Sequence, residues 1–193
     1  MYIDIFSTGI RLGDYNVKNT TDCVDTTGIT ECSDPLEEFG IEKVIIHPKF
    51  VHNYSKNEND IALIRLDRTV TYTDYIRPIC LPLHGTKLAE VGDTLLMTGW
   101  GNKDDNKPLA EIKKKVQSKL ISDEECTNFQ LYGRYLTKDH FCTKDIEQNN
   151  DFSCKGDTGG PVMYSSNLQW HQEGVISFSA SGCGTVNPNV HTK

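Results

Sequence analysis

Short runs of branched and aromatic residues recur along the chain, each closed off by glycine, proline, asparagine or aspartate. They cover Ile10–Leu12, Lys43–His47, Ile61–Leu66, Thr94–Thr98, Pro161–Tyr164 and Gly174–Phe178. That punctuation predicts an all-β chain, folded as a barrel or a sandwich. One helix is expected. In Ser122-Asp-Glu-Glu125 a serine able to cap is followed three residues later by a glutamate, so a short helix should start there. The stretch from 68 to 82, with prolines at 78 and 82, reads as a connector between two β units. No solenoid-type repeat and no low-complexity tract interrupts the pattern.

At 193 residues the chain has room for one domain, or most of one, with a real core. Its 37% apolar and 24% charged residues are ordinary for a globular protein. A net charge of −7 argues against a nucleic-acid partner and against membrane binding through a basic patch. No apolar run reaches the length of a membrane span. The opening residues, Met1 to Gly9, have neither the basic segment nor the apolar core of a secretory signal.

Seven cysteines change that picture, because they point to an oxidising compartment. No Cys-x-x-Cys spacing is present, so neither zinc nor thioredoxin-like chemistry is indicated. Asn19-Thr-Thr21 and Asn53-Tyr-Ser55 fit the N-glycosylation acceptor pattern. Many cysteines without a signal peptide lead to the expectation that the true N-terminus lies upstream of Met1.

Two segments carry candidate chemistry. Ser153-Cys-Lys-Gly-Asp-Thr-Gly-Gly-Pro161 is a glycine-rich turn of the sort a nucleophile needs, since glycines let a substrate approach the backbone. Asn59-Asp60-Ile-Ala-Leu-Ile-Arg65 puts a carboxylate directly before an apolar strand, a costly position unless the carboxylate is hydrogen-bonded. Further along stand Val44-Ile-Ile-His-Pro48, Tyr75-Ile-Arg-Pro-Ile-Cys-Leu-Pro82, Thr98-Gly-Trp-Gly101, Gly174-Val-Ile-Ser177 and Val190-His-Thr-Lys193. In this order, from Ile10 to Lys193, the segments resemble the trypsin-like, chymotrypsin-fold serine proteases of the extracellular clip-domain kind.

The resemblance implies two six-stranded antiparallel barrels, with the first barrel and the closing C-terminal helix incomplete. The remainder of the first barrel would occupy about 1–67, the connector 68–82 and the second barrel 83–193. Asp60 takes the position of the triad aspartate and Thr158 that of the nucleophile, where the family has serine. The amides matching Gly156 and Thr158 form the family's oxyanion hole, and the aspartate matching Asp157 pairs with the processed N-terminal amine. The specificity pocket would hold Phe152 at its base, with Ser177, Ser179 and Asn189 around it; Ser179 and Asn189 replace glycines of open-pocket relatives. The disulfides implied are Cys23–Cys32, Cys126–Cys142 and Cys154–Cys183. Cys80 is left over, to be bonded by a chain segment preceding the protease domain. Asp14 and Glu37 bracket a loop that binds calcium in some relatives; no other cofactor is implied.

Three departures bear on function. The family's Ala-Ala-His-Cys segment is absent, and the histidines before Asp60, His47 and His52, lie in other contexts. The methyl of Thr158 stiffens χ1 and crowds the site, at a cost on the order of 1–3 kcal/mol. Phe152 cannot supply the carboxylate with which trypsin-type pockets recognise lysine or arginine. The expectation is a catalytically inactive, secreted homologue, binding protein substrates or partner proteases of an extracellular cascade. The alternative is a serine endopeptidase whose histidine lies in an upstream segment.

Overall fold

The computed structural model describes residues 9–53, 56–102, 108–129, 136–146, 153–179 and 187–193, with the backbone alone for 52, 53 and 56. The strands are β1 (Ile10–Leu12), β2 (Cys23–Thr26), β3 (Ile29–Cys32), β4 (Glu37–Phe39), β5 (Ile41–Ile46), β6 (Val51–Asn53), β7 (Lys56–Glu58), β8 (Ala62–Leu66), β9 (Thr94–Gly99), β10 (Lys114–Ile121), β11 (His140–Asp145), β12 (Pro161–Ser166), β13 (Gln169–Ser179) and β14 (Asn189–Thr192). One helix, α1 (Asp123–Asn128), stands among them. Ser122 caps it as expected, its hydroxyl accepting from the Glu125 amide at 3.1 Å.

The chain divides into two compact units. The first, Met1–His47 with Ala62–Pro78, contains three two-stranded sheets, β1–β4, β2–β3 and β5–β8. β2 and β3 form a tight hairpin through Thr27 and Gly28, both at positive φ, and the Cys23–Cys32 disulfide joins directly opposed residues. Phe39, 2% exposed, anchors this unit beneath the Arg68 guanidinium, which lies 4.0 Å from the ring centroid. The β5–β8 ribbon leaves Ile45, Ile46, Leu63 and Ile64 exposed.

The second unit, Pro48–Ile61 with Ile79–Lys193, is built on a closed six-stranded barrel in the order β10-β11-β14-β13-β12-β9. Closure comes from the antiparallel β9–β10 pair, running from Thr94 opposite Lys119 to Gly99 opposite Lys114. Leu95, Met97, Val116, Val162 and Ile176 pack its interior. A second cluster, Ile121, Cys126, Cys142 and Val190, lies under α1, where the Cys126–Cys142 disulfide ties the helix to β11. A mostly-β chain with almost no helix is therefore as expected, and the closed sheet decides between barrel and sandwich for this unit.

β10 is the strand whose pattern explains most about the site. Its inward positions alternate as Lys114, Val116 and Ser118, all buried. Two of the three are polar, so period-two hydrophobicity does not reveal the strand.

Met97, 1% exposed at the barrel centre, gives a direct test of this core. Met97→Ala should lower the unfolding free energy by about 2–5 kcal/mol, read from the urea midpoint. Leu63→Ala on the exposed ribbon should shift it by less than about 0.5 kcal/mol.

Candidate active site

The glycine-rich turn is fastened at four backbone points. The Asp157 amide donates to Cys154 O at 3.0 Å and the Gly160 amide to Asp157 O at 2.9 Å. The Gly159 amide donates to Ile176 O at 2.8 Å, and Ile176 N returns a bond to Gly160 O at 2.9 Å. Gly156 sits at φ +92°, a conformation that glycine adopts without strain. Among the described residues the amides of Gly156 and Thr158 donate to no protein acceptor, and both residues are exposed. Such a pair of N–H groups can receive an anionic oxygen.

Beneath this turn lies Asp157, with a side chain 3% exposed. Its Oδ1 accepts from the Gly101 amide at 2.8 Å, and its Oδ2 accepts from the Cys154 amide at 3.0 Å. Oδ2 also meets Lys114 Nζ at 2.7 Å, and that lysine side chain is 1% exposed. Lys114 Nζ donates in addition to Asn102 O at 2.9 Å. A Cβ at Gly99 or Gly101 would fall into the Asp157 carboxylate, which explains why Thr98-Gly-Trp-Gly101 needs its glycines. Asp157 is thus salt-bridged by an internal lysine, a residue sequence reasoning did not single out. The signal available was Lys114 itself, an inward position of a strand.

Asp60 is held from β13. Ser177 Oγ donates to Asp60 Oδ2 at 2.7 Å, meeting the need for a partner that its position predicts. Ser177 can reach because the β13–β14 register slips there: Ile176 opposes His191, Phe178 opposes Val190, and Ser177 opposes nothing. The bulge leaves two consecutive buried residues, Ile176 and Ser177. Ser177, expected in the pocket, therefore turns its hydroxyl to Asp60. Among the described residues no histidine hydrogen-bonds this carboxylate.

Asn189, also expected to fill the pocket, donates through Nδ2 to Asp145 Oδ1 at 2.9 Å. Asp145 further accepts from Ser118 Oγ and, at 2.9 Å, from the Ser153 amide. Burial pushes its carboxyl above the usual range, while these three donors and the nearby Lys114 charge pull the other way. Sequence reasoning overlooked Asp145, since a charged residue at a strand end carries no distinctive pattern.

Other expected site residues are placed less centrally. Phe152 and Cys183 lie outside the described residues; Cys154 is disulfide-bonded. Cys80 is a free thiol, with Gln169 Nε2 at 2.9 Å from its sulfur. Asn19 is exposed and its amide donates to Asp22 Oδ1 at 3.4 Å; the Asn53 side chain lies outside the described residues. Asp14 is buried and Glu37 opens β4. Arg11 Nη1 lies 3.9 Å from Asp14 Oδ2, a cation already in place, and among the described residues no three acidic, histidine or cysteine side chains gather to hold a metal.

The family model described as Trypsin matches residues 10–193. The chain is similar to a CLIP domain-containing serine protease of Bombyx mori, 33% identical over 190 residues, covering 95% of this chain and 50% of that protein. It is similar also to phenoloxidase-activating factor 3 of Holotrichia diomphalia, 35% identical over 191 residues, 96% of this chain and 53% of the other. A third relative is the phenoloxidase-activating enzyme of Bombyx mori, 37% identical over 196 residues, 95% of this chain and 44% of the other. The chain spans about half the length of these relatives. No described helix is long and apolar enough to cross a membrane.

Two buried histidines set a pH dependence. Burial lowers His191 to about 3 and lowers His140 as well, although Asp139, Asp60 and Glu58 act in the opposite sense on the latter. Above the unfolded-state value of 6.5 both states are neutral and pH has no effect through these groups. Below it the unfolded chain takes up protons that the folded chain refuses, so stability falls as the pH drops from 6.5 toward 3. Each such histidine should contribute a slope of up to about 1.4 kcal/mol per pH unit. His191→Gln should remove one share of that slope in urea titrations between pH 7 and 5.

Proposed function

Because this chain belongs to the trypsin family of serine proteases, we propose that it works as a catalytically inactive member, a binding or cofactor module in an extracellular proteolytic cascade. The observation that carries this proposal is at Asp60, whose carboxylate is hydrogen-bonded by Ser177 and by no histidine among the described residues. In a triad the aspartate orients an imidazole, and the imidazole removes the nucleophile's proton. Without that base, a hydroxyl at neutral pH is a very weak nucleophile. Loss of the histidine from a comparable triad costs roughly a factor of 10⁶ in turnover. Thr158 adds a separate handicap, since its methyl crowds the space that base and substrate would share.

What the site retains is suited to binding. The exposed turn offers the Gly156 and Thr158 amides, and the chain resembles phenoloxidase-activating factors and clip-domain proteases along its whole matched length. A protein partner of the same cascade, presenting a peptide segment to this turn, is the ligand proposed. Secretion and a disulfide from Cys80 to a preceding segment of a longer protein belong to the same proposal. A second reading, a serine endopeptidase completed by an upstream segment with the histidine, draws on Asp60 Oδ1, which no described residue hydrogen-bonds and which could accept from an imidazole N–H.

The purified chain should hydrolyse no peptide substrate and take up no serine-directed fluorophosphonate. Thr158→Ser should leave both results unchanged, because no base is gained. An intact oxyanion hole alone would give at most about 10³–10⁴ over the uncatalysed rate. Turnover above that level, abolished by Thr158→Ala, would overturn the proposal; turnover gained only when the chain is extended upstream by a segment carrying a histidine would favour the second reading.

A further inference from the structure

We infer that Lys114 is the positioning residue of the Gly156–Thr158 turn, an internal counter-ion that orders the paired amides without a processed N-terminal amine. The inference concerns the shape of the turn and holds whether the site cleaves or only binds. A carboxylate 3% exposed is costly to bury unless a cation and hydrogen-bond donors replace its water. Asp157 has both: Lys114 Nζ at 2.7 Å, and the amides of Gly101 and Cys154. Lys114 belongs to β10, where residue 114 pairs with Gly99 of β9, so the cation is delivered by barrel closure itself. Its second bond, to Asn102 O, holds the ammonium at another point of the backbone.

From Asp157 the constraint passes directly to the anion-receiving groups. Asp157 lies between Gly156 and Thr158 in sequence, so fixing its side chain fixes the peptide units on either side. Its carbonyl then accepts from Gly160, and Gly159 is pinned to Ile176. A second cation arriving at Asp157 would meet a carboxylate already paired with a lysine that is itself 1% exposed. The turn therefore has a counter-ion supplied by the fold.

The test is amide hydrogen exchange on the whole chain. Lys114→Met keeps the stem and removes the charge. It should speed exchange at Gly159 and Gly160 at least about tenfold while leaving Gly92, bonded to Leu120 across the strand ends, within about twofold. Adding Asp157→Asn removes the stranded charge but leaves one acceptor atom for the Gly101 and Cys154 amides, so the double variant should exchange more slowly at Gly159 and Gly160 than Lys114→Met without reaching the parent's rate. Acetylating the Met1 amine, or extending the chain before it, should leave Gly159 and Gly160 unchanged. Unaltered exchange in Lys114→Met would overturn the inference. So would slowed exchange at the turn that depends on a free amino terminus. If Lys114→Met loosens every amide, the double variant decides: slower exchange at Gly159 and Gly160 than in Lys114→Met supports the counter-ion role, and exchange no slower refutes it.

Discussion

A barrel of six strands encloses a volume that hydrophobic side chains would normally fill, yet here a buried ammonium and a buried carboxylate meet at 2.7 Å. Removing two charges from water costs several kcal/mol per ion, recovered only when geometry and accessory hydrogen bonds are good. These conditions are met around Asp157 by the lysine, by two backbone amides, and by glycines at 99 and 101 that leave the carboxylate room. They come from separate parts of the chain. The turn carrying Thr158 inherits its shape from this agreement among β9, β10 and the segment after Ser153.

A similar arrangement surrounds Asp145. This second buried carboxylate takes donors from Ser118 of β10, Asn189 of β14 and the Ser153 amide. Lys114 and Ser118 both face inward on one strand, so β10 furnishes a partner to each acid. The two carboxylates and their partners form a polar group within the same barrel as the apolar cluster of Leu95, Met97, Val116, Val162 and Ile176. Polar residues in a barrel interior are acceptable when each is satisfied, and a half-satisfied network would be worse than an apolar one.

Strands rich in branched residues were legible in the sequence: Ile10–Leu12 is β1, and the runs near 43, 61, 94, 161 and 174 fall in β5, β8, β9, β12 and β13. The capped helix was legible because its signal is local. β10, β11 and β14 were not, since Lys114, Ser118, Thr143, Asn189, His191 and Thr192 occupy buried strand positions and blur the alternation. At the site, Asp60 and the turn from Ser153 to Pro161 could be found from spacing and glycine content. Lys114 and Asp145 could not, because the partners that give them their roles include residues 43 and 44 positions away, Asp157 and Asn189 respectively. The need of Asp60 for a partner was readable; that Ser177 would meet it depended on a register slip.

That slip has a consequence for how the chain tolerates change in length. β13 carries two unopposed residues, Glu173 against β12 and Ser177 against β14. Side chains on a strand alternate with a phase of two, so each extra residue inverts the phase of the residues beyond it. Gly174 to Ile176 are therefore out of step with both ends of their own strand. Deleting Glu173 would exchange inside for outside over the adjoining segment, moving Ser177 away from Asp60, and deleting Ser177 would remove the donor itself. Insertions in the surface loops carry no such penalty. The spacing within β13, counted in residues, constrains this site as tightly as the identity of any side chain in it.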